Sequence, residues 1–204
     1  KKMLIIGLTG PSGAGKGTFA GFLPFPRLDT DKTAREVVKK GMPCLDELCA
    51  AFGSEILLPD GELDRKALGA LAFSDKERLA TLNRITHRYI SEKVKQWLNE
   101  RETEGESAVI LDAPQLFESG EDALCDITVA VLSDSKTRLS RILSRDGVPE
   151  EYARARMASQ KPDEFFREHC TYVIENNGTE KELQDRAESF AKNVLRSVPK
   201  KESL

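Results

Sequence analysis

A glycine-rich stretch near the start of the chain, GLTGPSGAGKGTFA at residues 7–20, has the spacing of a phosphate-binding loop. Glycines let the backbone curl tightly with its N–H groups pointing inward, and a helix beginning near Lys16 would aim the positive end of its dipole at the same point. Lys16 can reach the outer phosphates of a nucleotide and follow charge as a phosphoryl group moves. The Gly-x4-Gly-Lys spacing follows an apolar run and precedes a helical pattern, which is the context that the motif requires. The residues predicted to bind nucleotide phosphates are Pro11, Ser12, Gly13, Ala14, Gly15, Lys16, Gly17 and Thr18.

Gly17 stands where such a loop usually carries Ser or Thr, whose hydroxyl is a magnesium ligand. Thr18 is displaced from that position by one residue, about 100° around a helix. Magnesium keeps several waters and takes few protein ligands, so nucleotide oxygens, waters and a carboxylate can hold it without that hydroxyl. Gly17 therefore argues against a standard loop and not against phosphoryl transfer. The GKGT spelling resembles the loop of adenylate kinases, which transfer phosphate with it.

Three aspartates lie where strands of a parallel sheet are expected to end. Asp29 and Asp31 follow a short apolar stretch, and the carboxyl ends of parallel strands line the ligand crevice. This pair either orients an acceptor hydroxyl and holds magnesium waters, or forms a turn and a helix N-cap before TAREVV. Asp112 ends the AVILD run, a position from which a carboxylate reaches the outer shell of the metal. We therefore expect Thr18, Asp31 and Asp112 to hold magnesium, through water.

Two later segments, RLSRILSRDG at 138–147 and ARARMASQK at 153–161, concentrate positive charge in an acidic chain. They form either a solvated helical hairpin or a mobile lid that closes arginines over a triphosphate. Phosphoryl transfer requires positive charge where the transferring oxygens pass, so we favour the lid. The cations concerned are Arg138, Arg141, Arg145, Arg154, Arg156 and Lys161.

Short apolar runs, separated by helical patterns, must position these residues. MLIIGLT, AVILDA, ITVAVL and YVIE, which begin at residues 3, 108, 127 and 172, suit strands buried on both faces of a parallel sheet. Strands that alternate with helices predict an α/β fold. Helical spacing relates Leu45, Leu48, Cys49 and Phe52, and also Ile90, Val94, Trp97 and Leu98.

A long interval without a clear strand separates LDTD, at 28–31, from AVILDA, which indicates an inserted helical lobe. The turn signal PDG at 59–61 divides this lobe, and RETEGES at 101–107 is a charged break before the chain returns to the sheet. We predict a single domain of three parts. These are a core of residues 1–31, 108–135 and 166–204, a helical acceptor lobe at 32–107 and a lid at 136–165.

Composition narrows the class of protein. The 204 residues are 39% hydrophobic, and 31 Lys and Arg oppose 34 Asp and Glu, so no basic field marks a nucleic-acid partner. No apolar run approaches the roughly 20 residues of a membrane span, and the N-terminus lacks the pattern of a cleaved leader, so we expect a soluble cytoplasmic protein without a membrane partner. The oligomeric state is open, with a monomer favoured. Reduced thiols without assigned chemistry are expected at Cys44, Cys49, Cys125 and Cys170.

Several blocks together resemble the dephospho-coenzyme A kinase family, over residues 3–180 and in the order and rough spacing of that family. They are GLTGPSGAGKGT, LDTDKTAREVVKKGMP, FGSEILLPDGELDRKAL, LNRITHRYI, LDAPQLFESG, RILSRDG and VIENNGT. The DxD, DG-x-LDR and D-x-P-x-LFE blocks separate this family from other P-loop kinases. The resemblance implies a three-layer α/β/α P-loop NTPase fold, nucleoside-monophosphate-kinase-like, with a parallel sheet, helical acceptor lobe and lid.

The resemblance also implies a reaction and roles. The family phosphorylates the ribose 3′-hydroxyl of dephospho-CoA with ATP and Mg²⁺, which completes coenzyme A synthesis. Asp31 matches the group that orients or deprotonates the hydroxyl, Arg145 matches the lid arginine over the transferring phosphate, and Lys16 is the third expected catalytic residue. Arg141 and Asn176 are expected to bind ATP, with Asn176 near the adenine. The residues expected to contact dephospho-CoA are Asp29, Arg35, Arg65, His87 and Gln115.

The sequence departs from the family pattern at several places. The loop reads GKGT where GKS or GKT is common, HRYI replaces HP-x-I after His87, and QLFE replaces LLFE, so that Gln115 either adds a polar contact or is tolerated. Only 13 positions (29 − 16) separate Lys16 from Asp29, and two prolines there would end the helix early. Either the connection is short or a stretch is absent from the sequence, and we favour the second.

Two other functions are compatible with parts of this pattern. GKGT suggests a nucleoside monophosphate kinase, which a panel of acceptors would separate from a dephospho-CoA kinase. A regulatory nucleotide switch would not explain an acceptor lobe followed by an arginine lid, and the sequence has no NKxD guanine signature.

Overall fold

The apolar runs of the sequence form the strands of a parallel sheet. The structure, a computed structural model, describes residues 3–197, and the predicted core ranges extend at both ends beyond the described residues. Parallel pairing joins β1 to β3, β1 to β4 and β4 to β5, and the sheet has the order β2-β3-β1-β4-β5. The strands are β1 Leu4–Thr9, β2 Arg27–Asp29, β3 Ala108–Asp112, β4 Ile127–Leu132 and β5 Tyr172–Glu175.

The parallel register brings the carboxyl ends of β1, β3 and β4 to the same end of the sheet. Leu8 lies beside Asp112, and Thr9 lies beside Ala130. The loop that follows β1 and the acid that ends β3 are therefore neighbours, as the rule for parallel sheets requires. The α/β fold and four of the predicted strands are confirmed.

Helices occupy most of the remaining described chain. Their bounds are α1 Lys16–Gly21, α2 Thr30–Glu36, α3 Pro43–Phe52, α4 Arg65–Ala72, α5 Lys76–Thr103, α6 Ser135–Asp146, α7 Glu150–Ala158, α8 Asp163–His169 and α9 Glu180–Ser197. Short 3-10 turns lie at Ser54–Ile56 and Glu121–Leu124. The predicted break RETEGES is wrong in its first part, because α5 continues to Thr103 before the chain turns at Gly105.

The chain divides into two compact units. The first comprises Lys1–Arg27 and Arg101–Leu204, and the second comprises Leu28–Glu100. In the first unit α1 and α9 cover the sheet, and the Phe19 and Phe190 rings pack with centroids 5.9 Å apart. Burying such side chains supplies the main favourable free energy of this unit. The division into core, lobe and lid stays a prediction.

The connection after α1 is short. Residues 22–26 lead directly into β2, with Leu23 buried in the core of the first unit. The Pro26 carbonyl accepts a hydrogen bond of 2.8 Å from the Ile110 N–H. The structure connects α1 to β2 through these residues, and the additional stretch that we favoured from the sequence stays a prediction.

The second unit has its own apolar core. Val38, Leu48, Ile56, Leu68 and Ile85 are buried together, drawn from the end of α2 through to α5. The predicted PDG turn is confirmed, since the Gly61 N–H donates to the Leu58 carbonyl. In the part of the chain that the structure describes, no helix combines the length and apolar character of a membrane span.

Candidate active site

The phosphate-binding loop connects β1 directly to α1. Gly15 is the N-cap of α1 and Gly13 lies two residues earlier, with φ values of 93° and 78°. These left-handed conformations are readily adopted by glycine only. The Ala14 N–H donates to the Pro11 carbonyl at 3.1 Å, which closes the turn before the helix.

Close packing around the loop also requires glycine at two positions. A Cβ atom on Gly13 would lie 2.5 Å from the Arg138 carbonyl oxygen, and one on Gly15 would lie 2.2 Å from Asn176 Nδ2. Gly17 differs, because a Cβ there would meet no described heavy atom within 4 Å. Gly13 and Gly15 are therefore fixed by the fold, whereas Gly17 has room for a side chain.

Lys16, the first residue of α1, forms an ion pair with Asp112, the last residue of β3. Asp112 Oδ1 accepts from Lys16 Nζ, and Asp112 Oδ2 lies 3.6 Å from an Arg27 nitrogen. Asp112 is only 4% exposed, and a buried carboxylate is costly unless cations or donors surround it. Lys16 and Asp112, predicted separately to bind phosphate and magnesium, thus lie together in the first unit. Sequence analysis missed Arg27, which no motif marked.

Arg141 and Asn176 lie behind the loop and hold its carbonyl groups. Asn176 is buried, and its Nδ2 donates to the Ala14 carbonyl at 2.7 Å. Arg141 Nη1 lies 3.3 Å from the Gly13 carbonyl oxygen and 3.4 Å from that of Ala14. Both residues were predicted to bind ATP, and the structure brings them to the loop. The contact of Asn176 with adenine stays a prediction.

Ser12 is held by Arg138, one of the cations of the predicted lid, and by Gln160, which sequence analysis did not assign to the site. Arg138 donates to its carbonyl, and Gln160 bonds both its N–H and its hydroxyl. Gln160 lies in a polar stretch between α7 and α8. Its partner Ser12 is 148 positions away, so no local sequence pattern could predict the contact.

Arg145 lies in the last turn of α6, where Asp146 holds its guanidinium. Its Nε and Nη2 donate to the two Asp146 carboxylate oxygens at 2.6 and 3.0 Å, and Arg156 donates to the same carboxylate at 2.7 Å. The hydrogen bond from Arg145, followed by that from Arg156, lowers the pKa of Asp146 to about 2. The arginine predicted to act in catalysis is therefore paired within its own segment.

Asp29 and Asp31 begin α2 in the second unit. The Asp29 carboxylate accepts from the Lys32 N–H at 3.0 Å, so the N-cap interpretation is confirmed for Asp29. Asp31 lies in the first turn and is exposed. The structure thus separates the roles of the two acids: Asp29 caps a helix, and Asp31 presents its carboxylate to solvent.

The other predicted acceptor residues are exposed polar side chains. Arg35 lies in the last turn of α2, Arg65 begins α4 after the Asp64 cap, and His87 lies on α5, all in the second unit. Gln115 is in the first unit, shortly after Asp112, and its carbonyl accepts from the Ser119 N–H. The structure does not gather these side chains into one hydrogen-bonded cluster among the described residues.

The residues of the loop suit a magnesium ion that has few protein ligands. No group of three or more acidic, histidine or cysteine side chains that could hold a metal occurs within residues 3–197. Asp112 places hard carboxylate oxygens beside the loop, and Thr18 is exposed in the first turn of α1. This donor set fits magnesium, which retains water and binds nucleotide oxygens.

The cysteines stay protonated near neutral pH. Burial is the main cause that raises the pKa of Cys125 to about 12 and the pKa values of Cys44 and Cys170 to about 11. The pKa of Cys49 is also raised. All four are free thiols, as expected for reduced cysteines.

Comparison with known proteins identifies the group to which this site belongs. A model of the dephospho-CoA kinase family matches residues 4–182. The chain is 41% identical over 199 residues to the dephospho-CoA kinase of Corynebacterium glutamicum, covering 96% of this chain and 100% of that protein. The chain belongs to the dephospho-CoA kinase family. It is a kinase by family, and the family carries out the last step of coenzyme A biosynthesis.

Solved structures share the fold of this chain. A crystal structure from Thermus thermophilus is 34% identical, with a TM-score of 0.80 over 98% of this chain and 100% of that one. The dephospho-CoA kinase from Campylobacter jejuni is 24% identical, with a TM-score of 0.69 over 94% and 97% of the two chains, and supports the fold. The three-layer kinase fold expected from the sequence is confirmed.

Alanine substitution at two glycines of the kinase loop should have opposite effects. Gly13→Ala should destabilise the protein by about 1–3 kcal/mol, because the conformation and the Arg138 carbonyl both exclude a Cβ. Gly17→Ala, at an open helical position, should stabilise it by up to about 1 kcal/mol. Urea unfolding of both variants checks this prediction, and a loss of stability at both positions would contradict it.

Asp146→Asn should change stability in a pH-dependent way. The pKa of Asp146 falls from 3.8 for a free side chain to about 2 in the fold, so its contribution is present above pH 3.8 and lost as the pH falls through 2. The melting temperature of the variant should lie below that of the parent at pH 6 and match it near pH 2. Asp185→Asn, on the exposed face of α9, is the control. A difference that persists undiminished to pH 2 would argue against the pairing.

Proposed function

We propose that the chain transfers the terminal phosphoryl group of ATP to the ribose 3′-hydroxyl of dephospho-CoA, in the cytoplasm. The observation that carries this proposal is the Lys16–Asp112 pair beside a glycine-constrained loop, in a chain matched to one family over residues 4–182. Such a loop offers inward N–H groups and a mobile cation to a triphosphate.

The phosphates would bind the loop, and Lys16 would exchange Asp112 for a phosphate oxygen as its partner. Asp112 holds the ammonium group at the end of β3 and also lies 3.6 Å from an Arg27 nitrogen. The flexible lysine stem allows the ammonium group to move to the outer phosphates. After Lys16 moved to the phosphates, the buried Asp112 carboxylate would still have Arg27 as a nearby cation. The protein contributes positioning and charge stabilisation, which are its main means of accelerating phosphoryl transfer.

Magnesium would be held beside the loop by Asp112, Thr18 and Asp31, through water. When bound, the ion neutralises charge on the transferring phosphoryl group and the leaving oxygen. Gly17 offers no side-chain ligand, so water and nucleotide oxygens would have to supply the ligand that a Ser or Thr hydroxyl usually provides.

The acceptor hydroxyl would be aligned by Asp31, whose exposed carboxylate is not used as a helix cap. Arg145 would leave Asp146 and offset charge on the moving phosphoryl group. Asp29, Arg35, Arg65, His87 and Gln115 are the proposed contacts with dephospho-CoA. Closure of the segment that carries Arg145 would exclude water and limit ATP hydrolysis.

A coupled assay of ADP formation tests the proposed function. ATP consumption should depend on added dephospho-CoA and Mg²⁺, and the product should carry the phosphate on the ribose 3′-oxygen. AMP and CMP serve as comparison acceptors, because the GKGT loop also suits a nucleoside monophosphate kinase. Faster turnover with either nucleotide, or ATP consumption independent of any acceptor, would reject the proposal.

Asp31→Asn should separate catalysis from ATP binding. Loss of the aligning carboxylate should lower kcat by about 100-fold or more, whereas the Kd for ATP should stay within about twofold. Asp185→Asn is again the control, because it changes the net charge by the same amount on the exposed face of α9, away from the site. Steady-state kinetics and calorimetric ATP titration measure the two effects. If kcat stays within a few-fold of the parent, Asp31 is not the aligning acid.

A further inference from the structure

Gln160 uses both ends of its amide on Ser12 of the phosphate loop. Its Oε1 accepts from the Ser12 N–H at 3.0 Å, and its Nε2 donates to the Ser12 hydroxyl at 3.1 Å. The residue lies between α7 and α8, far from the loop in sequence. An amide is well suited to this role, because it provides a donor and an acceptor in fixed geometry.

Arg138 of α6 completes the arrangement around Ser12. Its Nε donates to the Ser12 carbonyl at 3.0 Å, and its Nη2 donates to Gln160 Oε1 at 3.2 Å. Asp163, at the start of α8, lies 3.5 Å from another guanidinium nitrogen. Arg138 is 6% exposed, and its buried charge is matched by these acceptors.

These contacts bind all the polar groups of Ser12. Its N–H, carbonyl and hydroxyl are each bonded to a side chain from Arg138 or Gln160. Gly13 follows immediately and packs against the Arg138 carbonyl oxygen. The shape of the loop before the phosphate-facing residues is thus set by α6 and by the α7–α8 connection, both outside the motif.

We propose that Gln160 is a positioning residue for ATP. It fixes Ser12 so that the N–H groups of the following residues are already arranged when the triphosphate arrives. Preorganisation of this kind increases affinity because less conformational freedom is lost on binding. The inference rests on the proposed function only in that the loop binds ATP, and it places a specific determinant of that binding in the arginine-rich segment.

The decisive variant is Gln160→Ala in the full chain, titrated calorimetrically with Mg²⁺ and ATP in the absence of dephospho-CoA. Loss of its hydrogen bonds to Ser12 should raise the Kd for ATP by about tenfold. The KM for dephospho-CoA should stay within about twofold, since Gln160 and its hydrogen-bond partners are not among the proposed acceptor contacts. Gln184→Ala is the matched control, because Gln184 bonds Glu188 on the exposed face of α9. A Kd for Gln160→Ala equal to that of the control would overturn the proposal.

Two further variants distinguish positioning from general support of the fold. Gln160→Glu keeps an oxygen that accepts from the Ser12 N–H, and the Ser12 hydroxyl can rotate to donate to it, so the Kd should return to within about threefold of the parent. Ser12→Ala removes one bond and should raise the Kd by about threefold. Adding Ser12→Ala to Gln160→Ala should have no further effect, since the shared bond is already lost.

The variants remain informative if Gln160→Ala does not fold, because Ser12→Ala alone must then weaken ATP binding. Lower melting temperatures together with parental ATP affinity in every folded variant would show that the contacts support the fold only. The proposed function is tested separately by turnover of the parent with dephospho-CoA. ATP affinity does not involve that acceptor, so either result can fail without the other.

Discussion

Three consecutive carbonyl groups of the phosphate loop, at residues 12–14, accept hydrogen bonds from side chains of other elements. Arg138 and Arg141 donate from α6, and Asn176 donates from the end of β5. A trans peptide is planar, with its N–H opposite its carbonyl. Holding these carbonyls therefore directs the N–H groups of Gly13 and Gly15 away from the donors, whereas the Ala14 N–H donates to the Pro11 carbonyl. The anion-binding surface depends on these side-chain donors as much as on the glycines.

In the first unit, two carboxylates each pair with cations that could bind a triphosphate instead. Asp112 holds Lys16 and Arg27 at the sheet edge, and Asp146 holds Arg145 and Arg156 at the end of α6. In both places a carboxylate keeps flexible cations in defined positions without nucleotide. Exchange of a carboxylate for a phosphate oxygen conserves most of the favourable electrostatic interaction, so cation release need not carry a large penalty.

Local sequence patterns predicted the features that depend on residues close together in the chain. The loop, Lys16 and the strand that ends at Asp112 follow from the glycine motif and from apolar runs, and the structure contains all of them. Arg27 and Gln160 could not be found in this way. Their partners lie across the sheet or 148 positions away, and only the folded chain brings them together. The same limit applies to helix ends, because a charged segment such as 101–107 can continue a helix that packing has already formed.

The separation of Asp29 from Asp31 shows how spacing alone leaves a role undecided. Both are carboxylates at the end of one strand, yet the bond from the Lys32 N–H commits Asp29 to ending one element and starting the next. A capping carboxylate is held rigidly and loses acceptor capacity to the backbone. Asp31 retains its exposed oxygens within the first turn of the helix. A carboxylate whose oxygens are not committed to the backbone is the better hydroxyl partner, so helix geometry favours Asp31 over its neighbour for the proposed role.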